Sequence, residues 1–258
     1  MKSLSEIFKY RQLISALVAR HLASRYRGSS LGMLWSFLNP LCFMLIYLLV
    51  FKYYIRFDSV DNYSIYLFCG LLPWIWFNSG LLEATNSVVA SGHLITKSMF
   101  PPEILPAVSV ITNLVHYLLS LILLVFFMIF FKISFSWVLI FLPVLILIQA
   151  LLMYSISLVL AALNVFYRDV QHLLGNILSL LFFLCPILYP PTTVPEKFRW
   201  TLDFNPIANL INMYHLIILD GKIPSLGQWS FLIVITFIIF LIGNKVFNKY
   251  REIFAESL

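Results

Sequence analysis

The run ILPAVSVITNLVHYLLSLILLVFFMIFF, from Ile104 to Phe131, contains no Asp, Glu, Lys or Arg. As an α-helix it would be roughly 40 Å long, more than enough to cross a hydrocarbon core of about 30 Å. Lipid penalises an isolated ionised group, so a stretch cleared of charge over this length reads as a membrane-spanning helix.

Five further charge-free runs work outward from it, at residues 28–51, 62–82, 133–167, 170–195 and 223–244. Each can hold the roughly 20 residues that a span needs. A shorter stretch, 204–219, also lacks Asp, Glu, Lys and Arg but carries Asn205, Asn209, Asn212 and His215. It reads as re-entrant or interfacial, since polar groups and broken helices at that depth need protein or water partners.

Charge counting separates six spans from seven. With six, and both termini inside, Lys and Arg divide 11 inside against 6 outside; a seventh span flattens this to 9 against 8. Cytoplasmic loops carry the excess of positive charge, so six is the expectation. The composition agrees, with 61% hydrophobic and 11% charged residues. The net charge of +6 then reflects topology and attraction to anionic headgroups, and nucleic acid is not an expected partner.

Cys42, Cys69 and Cys185 lie in apolar runs without a CxxC pair and read as small buried hydrophobes. The first residues lack a secretory h-region, so the N-terminus is expected to be retained. Ser3 and Glu6 have capping-box spacing. The helix that follows puts Leu4, Ile7, Phe8, Ile14, Leu17 and Val18 on one side and Lys2, Ser5, Glu6, Lys9, Gln12 and Arg20 on the other. Such a helix, over residues 3–22, suits the headgroup plane or a partner surface.

Arg20, Arg25 and Arg27 precede the first span. Two readings fit them: anchors that snorkel to the interface, or guanidinium donors to an anionic headgroup. No GxxxxGK[ST] loop is present, so the chain does not hydrolyse nucleotide by that route. Only Glu83 and His116 are ionisable well inside spans. Glu83 is expected to pair with an N-terminal arginine and His116 to hydrogen-bond within the bundle. That leaves little for proton coupling or for enzymatic work on polyprenyl phosphates, and no catalytic residue or metal site is expected.

Phe43, Tyr47, Phe51 and Tyr54 recur on one face of the first span, and Phe182 and Tyr189 make a similar pair on the fifth. Sugar rings can pass over such aromatic faces, while lipid contact or core packing explains the same pattern. Residues 91–104, with Ser91, His93 and Lys97 followed by Pro101 and Pro102, suit a short inside helix and a proline-bounded restart. Residues 190–222 form the long outside region, read as a gate or a helical cap.

Four stretches carry a family resemblance: RYRGSSLGMLWSFLNP (Arg25 to Pro40), LPWIWFNSGLLEATNSVVASGHLITKSMFPPEILP (Leu72 to Pro106), LNVFYRDVQH (Leu163 to His172) and VPEKFRWTLDFNPIANLI (Val194 to Ile211). In this order and spacing the chain resembles the membrane subunits of ABC-2 type exporters of lipid-linked polysaccharides, including O-antigen, capsule and teichoic acid.

The resemblance implies an all-α, single-domain polytopic protein over residues 1–258, with six transmembrane helices, an N-terminal interface helix and paired external re-entrant helices. It implies a homodimer with two copies of a separate ABC ATPase, which holds the ATP and Mg, so that this chain needs no cofactor and is no enzyme. The substrate would be an undecaprenyl-diphosphate-linked glycan crossing the inner membrane, with both termini cytoplasmic.

Phosphate would meet Arg25 or Arg27. Phe43, Tyr47, Phe51, Tyr54, Phe182 and Tyr189 would line the channel, and Ser91, His93 and Lys97 would couple to the ATPase. Relatives often carry a basic residue where Pro102 stands, so a basic contact from that position is not expected. An ABC-2 exporter of drugs or small lipids would share the architecture, and a membrane enzyme on polyprenyl-linked substrates is the alternative from another class.

Overall fold

The computed structural model describes residues 2–54, 62–97 and 101–254, and these form helices, turns and no strand. The chain opens with α1 (Lys2–Lys9) and α2 (Arg11–Arg25). The first span follows as a short 3-10 turn, Gly32–Leu34, then α3 (Trp35–Leu48), then a π-helical stretch, Leu49–Tyr54. Beyond it lie α4 (Tyr63–Ala90), α5 (Gly92–Lys97), α6 (Ile104–Phe130) and α7 (Leu142–Phe166). The chain ends with α8 (Asp169–Phe183), α9 (Trp200–Asp203), α10 (Pro206–Ile218) and α11 (Leu226–Tyr250).

Five of these helical runs are long and apolar enough to cross a membrane: residues Gly32–Tyr54, α4, α6, Trp137–Phe166 and α11. The protein is a multi-pass membrane protein. The fifth run of the sequence is shorter as a helix than its charge-free length. α8 has 15 residues and gives way to turns ahead of Pro186, Pro190 and Pro191, each of which lacks the N–H a helix interior needs.

The carbonyls this break leaves without helical partners are taken up by α4. Tyr63 Oη donates to the Leu188 carbonyl (2.8 Å), and Tyr66 Oη lies within donating distance of the carbonyls of Pro186 (3.0 Å) and Tyr189 (2.8 Å). Irregular backbone is tolerated at membrane depth where protein supplies such partners.

α4 is the centre of the bundle: 78% of its apolar window is buried, against 17% for the first span. It packs on α3, α6, α7 and α10. In its interior Gln149 of α7 donates to the Pro73 carbonyl of α4 at 2.9 Å, and Tyr214 of α10 donates to Gln149 Oε1 at 2.7 Å. That chain of hydrogen bonds seats α10 inside the bundle. α10 itself opens on Asn205, whose Oδ1 accepts from the Ile207 and Ala208 amides (3.0 and 3.3 Å), with Pro206 at the first helical position.

Three expectations are corrected. The apolar side of the N-terminal helix is only partly used: Ile14 and Val18 bury against Ile104 and Val108 of α6, whereas Phe8 is 74% exposed. A break at Tyr10 separates α1 from α2, yet Ile7 of α1 packs against the same cluster as Ile14 and Val18. The helix already runs from Lys2, so Ser3 lies within it rather than at its cap, and its side chain is outside the described residues. The segment expected to hold paired external helices contains α10 and a partner segment before it. The partner segment is short helical turns, Pro191–Thr193, Glu196–Phe198 and α9, because Pro190, Pro191 and Pro195 interrupt it. Cys69 and Cys185 are buried as expected, but Cys42 is exposed.

Candidate functional site

Three neighbouring cavities lie around α4, the second and third of them bounded also by α3. The first, 590 Å³, lies at the end of the bundle where α2, α4, α5 and α6 meet, and is lined by Arg20, His21, Ser24, Arg25, Glu83, Asn86, Ser91, His93 and Gln171 among others. Arg25 forms an ion pair with Glu83. Asn113 of α6 bridges the two, its Nδ2 donating to Glu83 Oε2 (2.7 Å) and its Oδ1 accepting from Arg25 Nη1 (3.4 Å). The same Nδ2 also lies 2.9 Å from the Ser109 carbonyl, which fixes the amide's orientation. Burial, then the charges of Arg20 and Arg25, hold the His21 imidazole below its ordinary pKa.

The second cavity, 410 Å³, shares Arg25 with the first and is lined by Tyr26, Ser29, Trp35, Ser36, Asn39, Trp76, Ser79, His116 and Ser120 among others. His116 Nδ1 lies 2.9 Å from Ser36 Oγ and 3.2 Å from Tyr26 Oη, and those two oxygens are 2.8 Å apart. Ser120 Oγ can donate to the carbonyls of Ser36 (3.0 Å) and His116 (2.9 Å). This cluster ties the start of α3 to the middle of α6. Exposed large apolar side chains on α6 begin at Leu118 and continue to Phe130. The polar cluster therefore sits at the edge of this exposed apolar belt.

The third cavity, 360 Å³, shares Ile75 and Ser79 with the second. Its other walls include Phe43, Tyr47, Trp74, Asn78, Ser179, Phe182 and Phe183. Phe43 stacks on Tyr47 (centroids 6.5 Å apart), Tyr47 on Phe182 (5.5 Å), and Trp74 meets Phe182 at 5.6 Å. Aromatic pairs at these separations attract through their quadrupoles.

The structure thus brings together only part of the expected aromatic set. Phe43, Tyr47 and Phe182 share a cavity, while Phe51, half-buried in the core, and Tyr54, 72% exposed, do not line it. The π-helical turns of Leu49–Tyr54 change the angular step per residue, so the α-helical spacing of the four aromatics no longer keeps one face. Tyr189 is also apart, its hydroxyl donating to the Phe183 carbonyl at 2.8 Å.

Of the two arginines, Arg25 lines the first cavity and Arg27 is exposed away from it. Ser91 and His93 line that same cavity, at the start of α5; Lys97 closes α5, and its side chain lies outside the described residues, as do residues 98–100. The pairing of Glu83 with an N-terminal arginine and the bundle role of His116 are as read from the sequence. Trp74, Asn113 and His21 were not singled out as site residues. Asn113 stands three residues before His116 on α6, a helical neighbour spacing that could have flagged it.

One tie outside these cavities also escaped the sequence: Glu103, fully buried, forms an ion pair with Arg251 beyond α11. Among the described residues no group of His, Cys, Asp and Glu could hold a metal ion.

A model of the ABC-2 type transporter family matches residues 12–219, which takes in α2 to α10 and all three cavities. The chain belongs to this family. It is 36% identical over 255 residues to the O-antigen export system permease protein RfbA of Myxococcus xanthus, covering 98% of both chains. It is 32% identical to the RfbA permease of Klebsiella pneumoniae and 22% identical to the polysialic acid transport protein KpsM of Escherichia coli, covering 95% of each chain in both cases. In this ABC-2 chain the matched region ends with α10, so α11 and the Glu103–Arg251 tie extend beyond it on one side.

Proposed function

We propose that this ABC-2 chain is the membrane subunit of an exporter that moves a lipid-linked polysaccharide, carried on undecaprenyl diphosphate, outward across the inner membrane. The observation that carries the reading is the adjacency of the three cavities. The first shares Arg25 with the second, and the second shares Ile75 and Ser79 with the third, so a charged pocket and an aromatic-walled one are neighbours through common wall residues. Similarity to permeases named for O-antigen export supports the substrate class.

In this reading both termini and the Arg25 cavity face the cytoplasm, and residues 190–222 face outward. Two copies form a homodimer and engage two copies of an ABC ATPase on a separate chain, where ATP and Mg reside. Residues 3–22 serve as the interface helix, and residues 91–104 as the coupling region, with Ser91, His93 and Lys97 toward the ATPase. Because Ser91 and His93 line the same cavity as Arg25, movement of α5 would reshape the pocket that admits the substrate. A diphosphate carries more charge than one carboxylate and offers more acceptors, so it would draw Arg25 from Glu83 as it enters. Phe43, Tyr47 and Phe182, with Trp74, would present ring faces to the sugars.

The test is deletion of the gene and complementation in its native strain. Surface polysaccharide should disappear on deletion, with lipid-linked glycan accumulating inside, and return with the wild-type chain. Complementation with Arg25→Ala should restore little export while the purified variant still assembles with the ATPase. Unchanged surface polysaccharide in the deletion strain would overturn the reading, and a loss limited to drug or lipid efflux would favour the small-molecule exporter.

A further inference from the structure

A fourth cavity, 540 Å³, lies at the opposite end of the bundle from Arg25, enclosed by the turns that follow α8, by α9 and α10 and by the start of α11. We propose that it is a saccharide-binding site that holds one or two sugar units of the glycan as the glycan emerges. The proposal rests on the export reading above and adds to it a recognition site outside the cavity series.

The polar groups in its walls are held in place yet largely unspent. Asn209 and Asn212 stand one turn apart on α10, on one face, with Cβ atoms about 5–6 Å from each other. The Asn212 side chain makes no hydrogen bond among the described residues, and that of Asn209 makes only a long one, from Nδ2 to the Gln228 carbonyl at 3.4 Å. Gln228 is fixed by the helix cap it helps to form: its Oε1 accepts the Ser225 N–H at 2.9 Å, which leaves its Nε2 available toward the cavity. Asp203 has no ion pair among the described residues, and the carboxylate nearest Arg199 is Glu196, 3.9 Å away on the outer surface. Phe231 supplies an apolar wall.

Hydroxyl groups are at once donors and acceptors, and a ligand dense in them needs both kinds of partner side by side. Asp203 and the two Asn Oδ1 atoms accept; the Asn and Gln amide N–H groups and Arg199 donate. An apolar ring face is what the C–H side of a pyranose packs against. The charges in the walls cancel, Arg199 against Asp203, so an anionic lipid headgroup finds no surplus of positive charge here. The rim also sits where an emerging chain would pass. Phe198, Trp200 and Phe204 are exposed beside it, as side chains at a membrane–water interface are. Phe183, the last wall residue of the aromatic cavity on α8, is three residues from Pro186 in this one, at most about 11 Å along the chain.

The test uses the full transporter, this chain with its ATPase, in lipid nanodiscs. The probe is the lipid-free glycan released by mild acid from the surface polysaccharide whose export the deletion abolishes. Saturation-transfer NMR should show contact between the wild-type complex and the glycan. Asn212→Leu, which keeps the side-chain volume, should weaken it about tenfold, as loss of a pair of hydrogen bonds does. Asp203→Ala, at an exposed position, should weaken it similarly and serves where Asn212→Leu does not assemble.

If the deletion strain keeps all its surface polysaccharides, the export reading fails and the site falls with it. If the deletion removes a glycan but the wild-type complex shows no contact, or both variants bind as wild type does, the export reading stands and the site is overturned. Loss of bound phosphatidylglycerol from the variants in native mass spectrometry, with glycan contact unchanged, would assign the cavity to a lipid headgroup and likewise overturn it.

Discussion

The guanidinium of Arg25, the last residue of α2, is paired with the carboxylate of Glu83 inside α4, and Asn113 of α6 hydrogen-bonds to both. Three helices that are distant in sequence meet at this one polar node. Both charged side chains are about a third exposed (35% and 36%), so solvent screens the pair and its net coupling is expected to be about 1 kcal/mol or less.

The first prediction concerns that node. Arg25→Ala and Glu83→Ala should each lower the thermal stability of the purified protein modestly, and the double variant should be no less stable than the worse single one. Thermal shift in detergent measures this. Strict additivity would mean that the two groups do not interact in the folded protein.

The second concerns helix packing. A β-carbon at Gly243 of α11 would stand 2.5 Å from the Ser155 carbonyl oxygen of α7, a backbone atom that cannot swing aside. Gly243→Ala should therefore push α7 and α11 apart and cost about 1–3 kcal/mol. At Gly80 of α4 the nearest atom is the terminal methyl of Met153, which can rotate away. Gly80→Ala should be tolerated far better, and equal losses of stability at the two positions would contradict this account.

These relationships also mark how far the sequence could be read. The spans were legible because lipid clears charge from long runs, and α4, α6, α7 and α11 lie where those runs predict. The pairing of Glu83 followed from its being a lone charge in a span. The cavities were less legible, because a helix face predicted from a fixed angular step fails where the step changes. The π-helical turns at Leu49–Tyr54 removed Phe51 and Tyr54 from the aromatic wall for that reason. Trp74 escaped notice as a site residue because tertiary packing, not local spacing, puts it against a cavity.

A third prediction follows from His21, whose imidazole is kept neutral to lower pH by burial, then by Arg20 and Arg25. A histidine with a lowered folded-state pKa favours the fold above its unfolded pKa, and that contribution falls as acid forces the proton on. Arg25→Gln removes one of the two positive neighbours, so the His21 pKa should rise toward the ordinary histidine value. NMR titration of selectively labelled histidine reads this directly; no rise would mean that the charge of Arg25 does not reach the ring.

The last prediction separates charge from packing at the buried Glu103–Arg251 pair. Glu103 is fully buried just before α6, its backbone carbonyl lies 3.3 Å from Tyr154 Oη, and its counter-ion comes from the chain just past α11. Removing one partner of such a pair leaves an uncompensated buried charge, which costs about 3–5 kcal/mol, whereas removing both charges is far cheaper. Arg251→Met should accordingly destabilise the protein strongly. Adding Glu103→Gln should restore much of the loss, because a neutral amide needs no counter-ion. If the double variant is as unstable as Arg251→Met, the arginine acts through its packing against neighbouring side chains rather than through its charge.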